Sequence, residues 1–109
     1  MNRKYPPTKC IADDVDYTLF RRGSCSAGLV DWAGQCKAEG FDLILWSAQG
    51  RRHAEDAAKA SGTLDLWTAI IGKPGYIVDD QGWKWIRFTK VIRQLLPSVK
   101  LSDNRVANQ

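Results

Sequence analysis

"FDLILWS", Phe41 to Ser47, is a short, nearly continuous apolar run that ends in a hydroxyl residue. A strand whose apolar residues do not alternate with polar ones is the kind buried on both faces, as in a parallel sheet. The neighbouring sequence supports this. Upstream, Ser26 reads as an N-cap, Leu29, Trp32, Ala33 and Cys36 recur at helical spacing, and Gly40 is the stop. Downstream, "GRRHAEDAAKASG" sets Ala54, Ala57, Ala58 and Ser61 on one helical face and ends at Gly62. "CIADD" is a short, weakly apolar strand, "LWTAII" (Leu66 to Ile71) a third strand, and "GYIVDD" (Gly75 to Asp80) a fourth. Residues from Phe88 to Leu96 are mildly helical until Pro97, and the polar residues 98–109 are expected to fray. The order strand, helix, strand, helix, strand, strand predicts a single α/β domain over residues 1–109. Its expected form is a three-layer, Rossmann-like parallel sheet with helices on both faces.

The totals bound the function. The chain has 109 residues, enough for one core, with 44% hydrophobic and 26% charged residues, an ordinary soluble composition. No apolar run approaches the roughly 20 residues of a membrane span. The basic start "MNRKYPPTK" leads into no signal-peptide core, so a cytoplasmic protein is expected. Cys10, Cys25 and Cys36 have no metal-type spacing, and His53 is the single histidine, which argues against zinc and for reduced thiols. The net charge is +4. Five of the 12 acids are Asp13, Asp14, Asp16, Asp79 and Asp80, gathered in two short segments. A basic body around acidic points suits an anionic substrate or partner, although solvation of the surface by Lys and Arg accounts for it equally well.

In parallel α/β sheets, ligands sit at the carboxyl ends of the strands. Three expected strand ends carry polar residues: Asp14 to Asp16, Ser47, and Asp79 with Asp80. Two carboxylates about 5 Å apart repel by about 3 kcal/mol at an effective dielectric of about 20, and a divalent cation reverses the sign of that problem. Oxygen-only ligands in a compact site suit Mg2+, which keeps waters and takes a phosphate oxygen.

These residues carry a resemblance. "DVDYTLF", Asp14 to Phe20, resembles the DxDxT signature of the haloacid dehalogenase (HAD) superfamily of phosphohydrolases. "LILWSAQG" is similar to its second motif, Lys73 in "IIGKPGY" to its third, and "YIVDD" to its fourth, in the right order from Ile11 to Asp80. "DDQGWKW" resembles small capless members found among phage and bacterial proteins. The resemblance implies a Mg2+-dependent phosphomonoester hydrolase working through an aspartyl-phosphate. Asp14 would be the nucleophile, and Asp16 would protonate the leaving alkoxide and later activate water. Ser47 would hydrogen-bond the phosphoryl oxygens, and Lys73 would neutralise charge on the phosphate and on Asp14. The metal would rest on Asp14, the Asp16 carbonyl and Asp79, with Asp80 in or just behind the coordination sphere. Plainer roles stand beside each of these: turn formers for the aspartates, a helix cap for Ser47, a solvated loop lysine for Lys73.

Two features qualify the match. Asp13 occupies a position where the family usually has an apolar residue; strand alternation should point it away from Asp14, and burial would demand a partner. The intervals between motifs leave room for a short flap and single helices, so no cap domain is expected. An open site admits large substrates, and a nucleotide or nucleic-acid phosphate end fits the basic body; in a homo-oligomer a second subunit would serve as lid. Trp83 and Trp85, with Lys84 and Arg87, would line the mouth or pack the last helix, whereas Trp32, Trp46 and Trp67 are expected in the core. Thr18 is read as support for its loop and His53 as a surface helix residue. The rival reading is a catalytically degenerate fold of the same family, binding a phosphorylated ligand or a protein partner.

Overall fold

The computed structural model describes residues 7–16, 18–21 and 23–93. Tyr17 of the DxDxT-like stretch and the expected tail at 98–109 lie outside these residues. The chain divides into two units: Lys9–Gly75, and a second formed by residues from Tyr76 onward with those before Lys9.

Lys9–Gly75 is an α/β unit. Its elements are β1 (Cys10–Asp14), β2 (Phe20–Arg21), β3 (Ser24–Cys25), α1 (Ala27–Ala38), β4 (Asp42–Ser47), α2 (Arg51–Ala60) and β5 (Ala69–Gly72). β1, β4 and β5 form a parallel sheet in that order, so the apolar run at Phe41 to Ser47 supplies the central strand. β2 and β3 make a small antiparallel hairpin in the interval that the sequence left for a flap. Each crossover steps one strand in the same direction, and right-handed crossovers then lay α1 and α2 on one face. Burial agrees. Leu43, Leu45 and Ser47 are fully buried, while Ile44 and Trp46 on the opposite face are half-buried. Burial of Leu43 and Leu45 stabilises the sheet by roughly 1.5–3 kcal/mol each.

Local chemistry sets the helix positions. The Ser26 hydroxyl accepts the Leu29 N–H at 3.2 Å, the expected cap of α1, which buries Leu29, Ala33 and Cys36. α2 buries Ala54, Ala57 and Ala58, small side chains that let its backbone approach the sheet. The approach is closest at Gly72, where a Cβ would meet the Arg51 nitrogen at 3.4 Å and the Gly50 Cα at 3.5 Å.

Several expectations change. In this unit both helices lie on one face of the sheet, not on both as expected, so it has two layers rather than three. β5 starts at Ala69 rather than Leu66, because Trp67 is buried and its indole N–H donates to the Thr63 hydroxyl at 2.9 Å. That bond, with Leu66 N–H on the Thr63 carbonyl at 2.9 Å, keeps this stretch in a turn. Of the three tryptophans expected in the core, Trp67 is buried; Trp32 and Trp46 are half-buried. Gly75 to Asp80 is not a strand. Only Lys73, Pro74 and Gly75 separate the end of β5 from Tyr76, whereas a parallel neighbour needs a crossover of about a dozen residues.

In the second unit, a 3-10 helix runs over Gly82–Phe88. The helix expected from Phe88 to Leu96 is therefore displaced: residues 89–93 are not helical, and the remainder lies outside the described residues. Trp83 and Trp85 stack with ring centroids 6.4 Å apart, and the Arg87 guanidinium lies 4.8 Å from the centre of the Phe88 ring. No helix among the described residues is long and apolar enough to cross a membrane.

Candidate functional site

The carboxyl ends of β1, β4 and β5 lie side by side. Asp14 pairs with Trp46, and Ser47 pairs with Gly72, just before Lys73. The ends are tied by backbone bonds: Val15 N–H to the Trp46 carbonyl at 3.2 Å, and Lys73 N–H to the Ser47 carbonyl at 2.8 Å. Asp14, Asp16, Ser47 and Lys73 thus lie at the same end of one sheet. Asp79 and Asp80 belong to the second unit, where Asp79 Oδ1 accepts the Gln81 N–H at 2.8 Å in an Asx-type turn.

The side chains at this edge have different surroundings. Asp14 is half-buried on the face it shares with Trp46, and its carbonyl accepts the Leu19 N–H at 3.2 Å. Ser47 lies on the helix-covered face, fully buried, and its Oγ accepts the Gln49 N–H at 3.0 Å. That bond fixes the turn into α2, which Gly50 completes at φ 107, a region nearly closed to other residues. The Lys73 side chain is exposed.

Asp16 is the most engaged of the candidates. It sits two residues beyond β1, where the Val15 carbonyl accepts the N–H groups of Thr18 (3.4 Å) and Phe20 (2.9 Å) and curls the chain. Gln49 Nε2 donates to Asp16 Oδ2 at 2.7 Å, and His53 Nε2 lies 3.1 Å from Asp16 Oδ1. An ionised carboxylate only accepts, so this contact requires the proton on Nε2 of the ring. The bonds from His53 and Gln49 hold the Asp16 carboxyl below its usual range. The first turn of α2 carries no acid, and the helix dipole there favours an anion.

Gln49 and His53 were not singled out for this role by the sequence, which assigned His53 to the helix surface. They stand 33 and 37 positions from Asp16, and the available signal was their place just after a strand end.

Asp13 takes the opposite course. As strand alternation requires, it faces the helix-covered side with Leu45 and is 6% exposed. Its Oδ2 is buried without a hydrogen-bond partner, and burial pushes its carboxyl up to about 6. Nearby, burial first, then Glu39 and Asp13, push the Cys36 thiol up to about 11. Cys10, Cys25 and Cys36 are all free thiols. A shallow depression lined by Val30, Gly34, Gln35, Thr63 and Leu66 holds none of the candidate residues.

At the carboxyl end of the sheet the candidate cation donors are oxygens of Asp14 and Asp16, a donor type that suits Mg2+. Among the described residues, no three His, Cys, Asp or Glu side chains gather into a metal-binding group. No family model, curated protein or solved structure matches the sequence.

Proposed function

We propose that the chain is a small phosphomonoesterase with a capless core like that of the haloacid dehalogenase superfamily, with Asp14 as nucleophile and Asp16 as acid and base. The observation that carries this reading is the Asp16 carboxylate, gripped on both oxygens by Gln49 and His53, two residues beyond Asp14 at the carboxyl edge of a parallel sheet. A turn-forming aspartate bonds to its own backbone neighbours, as Asp79 does. Asp16 instead is oriented by side chains from another element.

In the proposed reaction an Asp14 oxygen attacks phosphorus, and the bond from phosphorus to the ester oxygen breaks. The leaving oxygen takes its proton from Asp16 in its protonated form, the minor one given the two donors that hold this carboxyl below its usual range, and an aspartyl-phosphate remains. Water then attacks phosphorus and gives a proton to Asp16; the Asp14–phosphorus bond breaks, releasing phosphate and restoring both carboxyl groups. Lys73, on the exposed strand end, would offset charge on the transferred group. Ser47, buried on the helix-covered face, fixes the Gln49 turn and does not reach the phosphoryl oxygens as the resemblance implied. Mg2+ would be held by Asp14 and the Asp16 carbonyl. When bound, it would offset the repulsion between an anionic nucleophile and an anionic phosphoryl group. The open edge and basic composition favour a nucleotide or nucleic-acid phosphate end as substrate, acted on in the cytoplasm.

A second reading is a catalytically degenerate module of the same fold that binds a phosphorylated ligand or a protein partner. It draws on Asp13, the residue before the nucleophile, which buries an unpartnered carboxyl oxygen on the other face of β1, and on the inward-turned Ser47. One assay separates the two: hydrolysis of an aryl phosphate with and without Mg2+. Metal-dependent turnover that falls at least ~1,000-fold in Asp14→Asn, and about 100- to 10,000-fold in Asp16→Asn, supports the enzyme. Wild type as inactive as both variants, but binding phosphorylated ligands, supports the module.

A further inference from the structure

We infer that Gln49 and His53 are positioning residues that fix the Asp16 carboxylate for the second, water-consuming half of the reaction. The inference rests on the phosphatase reading and names the machinery behind its acid and base.

Three observations lead here. Gln49 and His53 take different oxygens of one carboxylate, Oδ2 and Oδ1, so the group is held against rotation about its terminal bond. Both holders stand on anchored backbone. The Gln49 backbone is bonded to the fully buried Ser47, and His53 immediately precedes Ala54, fully buried beneath α2. The Asp16 side chain nevertheless keeps 40% of its exposure. A carboxylate has about four lone-pair sites, so two donors leave acceptor capacity for an incoming water. Donors on both oxygens leave the group an acceptor, the form a base needs when water attacks the aspartyl-phosphate. With an aryl phosphate, whose leaving group departs without a proton, the first half of the reaction makes no demand on Asp16. Loss of either holder should therefore slow the second half and leave the covalent intermediate to accumulate.

The experiment compares wild type, His53→Ala, His53→Gln and Gln49→Ala on an aryl phosphate with Mg2+, with acid quenching to trap phosphoprotein. The expected result is a kcat about 10- to 100-fold lower in the alanine variants, with more trapped phosphoprotein than wild type. His53→Gln, which keeps an N–H donor, should recover part of the rate. Unchanged kcat and labelling overturn the inference, as does a lower kcat with no extra labelling, the result of a merely structural role. A readout independent of turnover comes from the single histidine of the chain, whose imidazole 15N resonances need no assignment. A hydrogen-bonded Nε2–H is expected in wild type, with its 15N resonance shifted in Asp16→Ala as the bond is lost; an Nδ1–H ring in wild type, or an unshifted Nε2 resonance in Asp16→Ala, overturns the inference whatever the activity. If the ring shows the contact but wild type neither turns over nor labels, the phosphatase reading is what fails, and the catalytic role falls with it.

Discussion

The inner face of β1 and the loop that leaves it each hold an aspartate, and the fold treats the two in opposite ways. Asp13 is buried, has one oxygen with no partner, and has its carboxyl pushed up to about 6. Asp16 is half-exposed, receives two side-chain donors, and is held ionised below its usual range. Two residues separate them in the chain. Their charge states follow from what each oxygen meets. A carboxyl buried with an unpartnered oxygen keeps its proton to higher pH, whereas one with donors on both oxygens keeps its charge at the surface.

The contrast has consequences for stability. The largest is at Asp13. A rise from 3.8 to about 6 corresponds to about 3 kcal/mol of cost once the group is ionised in the folded state. Because the folded value lies above the unfolded one, that stability is fully present below pH ~4 and lost as pH rises through about 6. Asp13→Asn should therefore gain up to about 3 kcal/mol in urea unfolding at pH 8 and nothing near pH 4. An equal gain at both pH values would mean that ionisation is not the cost.

A smaller effect is expected where a buried polar group has its partner. The Trp67 indole N–H on Thr63 is the satisfied counterpart of Asp13 in the same unit. Thr63→Val leaves that N–H without an acceptor and should cost about 2 kcal/mol, read as a lower denaturation midpoint with an unchanged slope. The smallest effect is at Asp16 itself. Its folded value is lowered, so its contribution is present above the ordinary carboxylate range and lost as pH falls through the lowered value. At this exposure Asp16→Asn should change stability by less than ~0.5 kcal/mol at pH 7, even as activity collapses. A large stability loss would recast Gln49 and His53 as fasteners of the loop.

Much of the scaffold could be read from local sequence. The run at Phe41 to Ser47 announced the central strand, Ser26 the cap of α1, and the alanines of α2 its buried face, because each depends on burial or bonding within one element. The misread segments depend on distant partners or on chain reach. Trp67 needs a hydroxyl for its indole, which delays β5, and the short link after Gly72 denies Gly75 to Asp80 a parallel place beside β5.

The candidate site divides along the same line. By itself the sequence determined that acidic residues leave β1, that a hydroxyl ends β4 and that a lysine follows β5, since the order of residue types is a property of the chain. Only the tertiary structure decided that Asp16 meets Gln49 and His53 while Asp13 Oδ2 meets no donor among the described residues. Hydrogen bonds act over about 3 Å in space, and the sheet, not the spacing along the backbone, brings residues more than thirty positions apart within that distance.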